Sequence, residues 1–176
     1  MGVMTEPVSL ARVAGVPDPV PTFEEFFRSH YRDLARALLL LTGDPSEAED
    51  LAQEAFARVL ERWERVRAMA SPTGYAYRTA LNLNRKRLRW VAVRARRILA
   101  GRHEPDPAEA AGTRVDVLQA MRAIPAAQRE ALMLVEWLGM AADEAGEVLG
   151  IAPESVRGRC HRGRASLRAE LGVSDE

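Results

Sequence analysis

The chain has 176 residues, 47% of them hydrophobic, and its 25 basic and 25 acidic residues give a formal net charge of zero. This length fits one domain or two small ones, and a single cysteine excludes an intramolecular disulfide and is typical of a reducing cytoplasm. The longest purely apolar run covers only residues 37–41, which excludes a membrane span, and residues 1–21 lack the pattern of a signal peptide.

The first predicted helix follows residues 1–21, a proline-containing stretch that we expect to be a flexible tail. Apolar side chains recur at helical spacing from Phe23 to Leu38, and this helix is expected to end near Gly43. The second helix is expected to begin with Asp44 as N-cap, a proline at the first helical position and Glu47 closing a capping box. Its expected buried side consists of Leu51, Ala55, Phe56, Val59, Leu60 and Trp63, with Asp50, Gln53, Glu54 and Glu61 mostly outside.

A third long helix is predicted from Pro72 to about Arg97, because Ser71 followed by proline is a typical helix start. Two separate stripes run along it, which indicates that one side packs and another presents positive charge. The packing stripe contains Tyr77, Leu81, Asn84, Leu88 and Val91, and the basic stripe contains Arg78, Arg85, Arg89 and Arg96.

Four shorter helices are predicted after residues 100–113, a stretch rich in Ala, Gly, Pro and acid that reads as a linker. These helices are expected over Val117–Ile124, Arg129–Leu138, Ala142–Leu149 and Pro153–Leu171. No strand alternation is visible. The sequence therefore predicts an all-α protein: a tail (1–21), a first helical domain (22–99), a flexible linker (100–113) and a second helical domain (114–172).

The charges are unevenly distributed. Residues 78–102 contain nine basic side chains and no acidic one, and residues 157–168 contain five more, again with no acid. Residues 44–57 contain five acids and no base. The net charge of zero therefore conceals two basic segments, which favour nucleic acid, and an acidic face.

The stretch from Ala141 to Cys160 fits a helix-turn-helix. Gly146 lies where the two helices would cross, Gly150 provides the turn, and Ile151 and Val156 are the apolar positions. An ordinary helical hairpin is the alternative, and Ala152 gives the second helix only a weak N-cap.

The second helix of this motif has a buried and a basic side. At 100° per residue, Cys160 lies about 40° from Val156, whereas Arg157, His161, Arg164 and Arg168 lie at about 80° to 140°. A major-groove reader would place its N-terminal side chains near base edges and later ones near phosphates. A solvated charged face is the alternative. The candidate DNA-binding residues are Glu154, Ser155, Arg157, Gly158, His161, Arg162 and Arg164.

The long basic helix mixes cations with aromatic and amide side chains, which is typical of proteins that stack unpaired bases and follow the backbone. Its candidate DNA-binding residues are Tyr75, Arg78, Asn82, Arg85, Lys86 and Arg89. The alternative is that Tyr77 belongs to the core and Trp90 fills a contact between helices. The acidic face with Asp50, Gln53 and Glu54 could serve solubility or bind a basic protein.

No enzyme signature is present in the sequence. The three histidines lie in different segments, no Cys/His cluster has metal-ligand spacing, and no glycine-rich phosphate loop follows a strand. We therefore expect no catalytic residues, no metal and no cofactor.

In this order, the pieces resemble a bacterial RNA polymerase sigma factor of the extracytoplasmic-function (ECF) subfamily, over about residues 22–171. "FEEFFRSHYRDLARALLLLTGDPSEAEDLAQEAFARVLERW" is similar to the start of the sigma-2 domain and "SPTGYAYRTALNLNRKRLRW" to its promoter-melting part. The stretch from "LQAMRAIPAAQREALMLVEW" to "GRASLRAEL" is similar to sigma-4.

The resemblance implies partners and roles. Asp50, Gln53 and Glu54 would bind the coiled coil of the β′ clamp of core RNA polymerase. Residues 71–90 would recognise and help to open the −10 element of promoter DNA, with residues 66–73 holding a flipped base. The helix-turn-helix would read the −35 element and touch the β flap. An anti-sigma factor is a possible further partner, and no membrane insertion is expected.

Two positions depart from the family pattern, since relatives often have Trp near the position of Tyr75 and an acid where Lys86 stands.

Two rival hypotheses remain. The first is a stand-alone helix-turn-helix regulator, which leaves the acidic helix and the long basic run without a role. The second is a helical protein-interaction module without a DNA role.

Overall fold

The computed structural model describes residues 21–99 and 113–172, and side chains within this part except those of residues 95–99 and 113–116. The predicted tail and linker lie outside the described residues, apart from residues 21 and 113. Within the described part, every regular element is helical, which confirms the all-α prediction. The helices are α1 (Phe23–Thr42), α2 (Pro45–Leu60), α3 (Trp63–Val66), α4 (Pro72–Leu99), α5 (Thr113–Ala123), α6 (Ala126–Leu132), α7 (Ala142–Leu149) and α8 (Pro153–Glu170).

The helix starts follow the local signals in the sequence. The Asp44 side chain accepts a hydrogen bond of 3.0 Å from the Glu47 backbone N–H, as an N-cap does. The predicted capping box is wrong, because the Glu47 carboxylate pairs with Arg87 of α4 at 2.7 Å instead. Ser71 Oγ accepts from the Gly74 backbone N–H at the start of α4.

The first unit, α1–α4, is built around aromatic rings. α1 lies along α2, and α2 along α4. Phe56 of α2 meets Phe27 of α1 edge-to-face, with ring centroids 5.0 Å apart, and Phe26 lies 5.1 Å from Trp63 of α3. Such pairs add specific geometry to the burial of large apolar surface. Trp63, which the sequence places on the buried side of the second helix, instead begins the short helix α3 and is buried there.

The second unit, α5–α8, packs on the first one. α6 continues through a π-helical turn, Met133–Trp137, so that the predicted single helix over 129–138 changes its hydrogen-bonding pattern partway. α7 contacts α4, while α1 contacts α5 and α6. Buried side chains of both units form one continuous core. Two guanidiniums of the second unit bind backbone carbonyls at the end of α1: Arg122 donates to Gly43 O at 2.8 Å and Arg129 to Leu41 O at 2.9 Å.

Three residues placed on packing stripes by their spacing are exposed instead. Leu60 lies at the end of α2, and Leu88 and Val91 lie in the second half of α4. Tyr77, Leu81 and Asn84 are buried as predicted. The α4 stripe is therefore buried as far as Asn84 and exposed from Leu88 onward.

The helix-turn-helix prediction is confirmed in its geometry. α7 ends at Gly150, which has a φ of 71°, a left-handed conformation that favours glycine. A Cβ on Gly146 would lie 2.8 Å from the backbone O of Ile151, so only glycine allows this close crossing. Val156 and Cys160 of α8 are both buried. Ala152 makes no side-chain cap, as expected.

Gly146→Ala is expected to destabilise the protein by about 1–3 kcal/mol, because the new methyl group must displace backbone at the crossing. Gly158→Ala is the matched control. Its Cβ would meet only the far end of Arg162, at 3.5 Å, and better helix propensity should stabilise by roughly 0.5–1 kcal/mol. Urea unfolding measures both, and a Gly146→Ala protein as stable as wild type would contradict the crossing.

Candidate nucleic-acid interface

The basic side of α8 faces solvent. Glu154, Ser155, Arg157, His161, Arg162 and Arg164 are exposed, and Gly158 is half-buried. Arg157 pairs with Glu154 at 2.8 Å, and Arg164 Nε lies 3.6 Å from a carboxylate oxygen of Glu136. These exposed pairs hold their side chains weakly. The guanidiniums therefore remain accessible to a polyanion.

The opposite side of α8 fixes its position. Gly163 lies against Leu132 of α6 so closely that a Cβ there would be 2.8 Å from Leu132 Cδ1. Cys160 is 2% exposed, and burial, followed by the Glu136 carboxylate, raises the pKa of its thiol, while Arg164 opposes the shift. The adjacent His161 is exposed. Cys160 and His161 therefore face different ways, as the helical spacing predicted.

α4 carries the second group of candidate residues, and these have unequal surroundings. Asn82, Lys86 and Arg89 are exposed. Tyr75 is half-buried, and its hydroxyl accepts a hydrogen bond of 3.1 Å from Arg62 Nη1. Trp90 is 66% exposed, so the alternative in which it fills a contact between helices is wrong. Tyr77 does belong to the core, and burial raises the pKa of its hydroxyl.

The two remaining α4 candidates bind the second unit. Arg85 Nε donates to Glu130 Oε1 at 2.9 Å and Arg85 Nη2 to Glu130 Oε2 at 2.5 Å. The hydrogen bond to Glu130 raises the pKa of the Arg85 guanidinium above its ordinary value. Arg78 Nη2 donates to the backbone O of Glu147 in α7. Sequence patterns did not indicate these partners, although Glu130 stands out as a single acid in the apolar stretch 130–135.

The acidic face lies on the outer side of α2. Asp50, Gln53 and Glu54 are all exposed, and Glu54 pairs with Arg58 one turn later at 2.5 Å. A shallow groove of about 290 Å³ separates this face from α4. The groove is lined by Asp50, Leu51, Glu54, Leu83, Lys86, Arg87 and Trp90.

The described surface also contains a cavity of about 560 Å³ at the start of α4, where residues 69–75 face α7. No group of His, Cys, Asp or Glu side chains suited to hold a metal ion occurs in residues 21–99 and 113–172. In the same residues, no helix has both the length and the apolarity needed to cross a bilayer.

A helix-turn-helix with an exposed basic second helix, next to a further long basic helix, defines a helical DNA-binding protein. Comparison with protein families narrows the class. Sigma-70 region 2 matches residues 26–92, and Sigma-70 region 4 matches residues 114–167.

Two related sigma factors match the sequence of this chain over most of its length. The RNA polymerase sigma-E factor of Streptomyces antibioticus is 31% identical over 160 residues, which cover 87% of this chain and 86% of that protein. The ECF RNA polymerase sigma factor SigE of Mycolicibacterium smegmatis is 29% identical over 161 residues, covering 86% of this chain and 62% of that protein. The chain therefore belongs to the sigma-70 family of RNA polymerase sigma factors, in the ECF subfamily.

Solved structures share the fold. The sigma factor RpoE of Bartonella quintana, in complex with the anti-sigma factor NepR, matches with a TM-score of 0.72 at 20% identity, covering 87% of this chain and 98% of that one. CnrH in complex with the cytosolic domain of CnrY gives a TM-score of 0.61 at 21% identity, covering 87% and 89%.

Native Cys160 is expected to react with a thiol-labelling reagent roughly 100-fold more slowly than in denaturant, because the buried thiol must await local opening. Its raised pKa keeps the thiolate fraction below that of a free cysteine as the pH rises from 7 to 9. Labelling followed by absorbance at each pH measures this. Equal rates in native and denatured protein would contradict the buried position.

Proposed function

We propose that this protein is a non-catalytic transcription initiation factor that binds core RNA polymerase and directs it to a two-part promoter. The observation that carries the proposal is the order of three surfaces along one chain: the acidic face of α2, the basic side of α4 and the basic side of α8 behind a helix-turn-helix crossing. A stand-alone helix-turn-helix regulator would need only the basic side of α8.

The −35 element is assigned to α8. Its N-terminal residues Glu154, Ser155, Arg157 and Gly158 would read base edges in the major groove, and His161, Arg162 and Arg164 would hold the flanking phosphates. The exposure of the six long or polar side chains in this group supports the assignment. The β flap would be a second contact of this unit.

The −10 element is assigned to α4 and the segment before it. Tyr75, Arg78, Asn82, Arg85, Lys86 and Arg89 would contact the separating strands, with cations on phosphates and the aromatic ring stacking on a base. The cavity of about 560 Å³ is bordered by Met69, Ser71 and Thr73, which fits a loop that holds a flipped base.

The polymerase is assigned to the acidic face. Asp50, Gln53 and Glu54 present carboxylate and amide groups that a basic helix of the β′ clamp would bind. Domain boundaries at 22–99 and 114–172 separate this contact and the −10 contact from the −35 contact. Joining two weak DNA contacts in one complex raises the effective concentration at the second site. An anti-sigma factor covering these surfaces is a further proposed partner.

The proposal is tested by mixing the protein with core RNA polymerase and a library of promoter sequences, and sequencing the transcripts. We expect initiation from DNA sharing two spaced motifs only when the protein is present. Tight duplex binding without polymerase and without initiation would favour the stand-alone regulator. No DNA dependence at all would favour the interaction module.

Asp50→Arg combined with Glu54→Arg is expected to lower affinity for core polymerase about 100-fold, because two attractions become repulsions at a basic partner. Glu24→Arg with Glu64→Arg changes the charge equally at exposed positions elsewhere in the first unit, and should bind normally. Titration of labelled protein with core enzyme measures both. Normal binding by the first variant would contradict the clamp assignment.

Arg164→Ala is expected to reduce the slope of log affinity against log salt by about 0.9 for holoenzyme on a promoter recovered from the library, because one phosphate contact is lost. Arg36→Ala removes an exposed arginine of α1 and should leave the slope unchanged. Filter binding at several salt concentrations measures the slopes. An unchanged slope for Arg164→Ala would remove it from the phosphate contacts.

A further inference from the structure

Trp90 is an exposed side chain without an assigned role. It is 66% exposed, more than any other large apolar side chain in the described part of the chain. A tryptophan gains more than most side chains from being covered, because its ring buries a large apolar area on binding. Tryptophan is also enriched among the few residues that carry most of the binding energy of protein interfaces. The surroundings of Trp90 therefore decide what it could bind.

Trp90 lines the shallow groove of about 290 Å³ between α2 and α4. Two leucines line the same groove, Leu51 of α2 at 3% exposure and Leu83 of α4 at 5%. Because both belong to the core, the floor of the groove is apolar and fixed in place. The volume corresponds to about ten water molecules, which is room for a large side chain of a partner rather than for a folded element.

Charges of opposite sign lie along the two sides of the groove. Asp50 and Glu54 line it from α2, and Lys86 and Arg87 line it from α4. Glu54 and Arg87 are held in ion pairs with neighbouring side chains, at 2.5 Å and 2.7 Å. Within the described residues, Asp50 and Lys86 form no ion pair, either with each other or with another side chain. The groove therefore offers a partner one carboxylate and one ammonium group, on opposite sides of an apolar floor.

The sign of these charges selects the class of partner. Asp50 and Glu54 would repel the phosphates of a nucleic acid that entered the groove, which disfavours base stacking on Trp90. A purely basic peptide would be repelled on the α4 side. A protein helix that carries an apolar residue between a basic and an acidic one satisfies both sides, and an apolar groove is a common docking place for such a helix.

We propose that a helix of the polymerase clamp inserts an apolar side chain into this groove against Trp90. Its basic residues would reach Asp50 and Glu54, and an acidic residue would reach Lys86. The proposal rests on the proposed contact between polymerase and the acidic face, and it adds an apolar anchor to that contact. The acidic face and the groove are continuous, because Asp50 and Glu54 belong to both.

Trp90→Ala is expected to weaken binding to core RNA polymerase about 30-fold in the absence of DNA, because an interface tryptophan is lost. Trp90→Phe keeps an aromatic ring and should bind within about threefold of wild type. The loss in Trp90→Ala should be the same at about 0.1 M and about 0.5 M salt, since salt screens charges but not apolar burial. Titration of the labelled full chain with core enzyme measures each affinity.

Leu88→Ala is the matched control. Leu88 is 48% exposed on the same helix, does not line the groove, and lies about 160° around the helix from Trp90. This variant should bind core enzyme as wild type does. Trp90→Ala should leave the affinity for a random single-stranded DNA of about 20 nucleotides unchanged. Circular dichroism should show unchanged helix content in all three variants.

The outcomes separate this proposal from the proposed function. Normal core binding by Trp90→Ala, together with weak binding by Asp50→Arg with Glu54→Arg, would overturn the apolar anchor and leave the polymerase contact in place. Normal binding by both would overturn both. A loss of DNA affinity in Trp90→Ala with normal core binding would assign the indole to base stacking and also overturn the proposal.

The salt dependence and the control decide whether the anchor is apolar and specific. A loss of core affinity in Trp90→Ala that shrinks with salt, as the loss in the charge-reversal variant should, would overturn an apolar anchor. An equal loss in Leu88→Ala would overturn its place in the groove. A loss that is confined to Trp90→Ala and equal at both salt concentrations supports the proposal.

Discussion

The bidentate pair between Arg85 and Glu130 joins the two units at the one place in the described chain where a charged side chain of the second unit is buried. The two side chains come from different units, and the chain separates them by 45 residues. Beside this pair, α7 contacts α4, and the basic side of α8 faces solvent. Arg78 donates to the backbone of α7 and is nevertheless exposed, as are Asn82, Lys86 and Arg89.

α4 takes part in the packing of the first unit, in the proposed −10 contact and in the groove beside the acidic face. Its buried side, with Tyr77 and Leu81, packs the first unit. Its basic side carries the −10 candidates, and Lys86 and Trp90 reach the groove beside the acidic face of α2. Under the proposed function, a change in the position of α4 would act on the polymerase contact, the −10 contact and the boundary between units at once.

Local signals in the sequence predicted the helices and the crossing well. The Asp44 cap, Ser71 before a proline, and Gly150 each act within a few residues, so their effect does not depend on distant parts of the chain. The same reasoning placed Cys160 inside and His161 outside, since both lie on one helix with one buried side.

Periodicity failed where burial depends on a distant neighbour. Leu88 and Val91 continue the apolar stripe of α4, yet no described helix covers them, and spacing alone cannot show where a neighbouring helix ends. Glu130 is the reverse case: an acid among apolar residues that is buried because Arg85 lies opposite. The exposure of most DNA and polymerase candidates followed from charge patterning, but the half-buried positions of Tyr75 and Arg85 and their partners inside the molecule depend on the tertiary arrangement.

The most direct test of how the two units work together on a two-part promoter is a distance measurement by electron spin resonance in the full chain. Spin labels at Glu49 and Glu170, two exposed positions on α2 and α8, are introduced into a Cys160→Ala background. The free protein should give one short distance, and its complex with core polymerase and promoter DNA should give a longer one. The same distance distribution in both states would contradict the account.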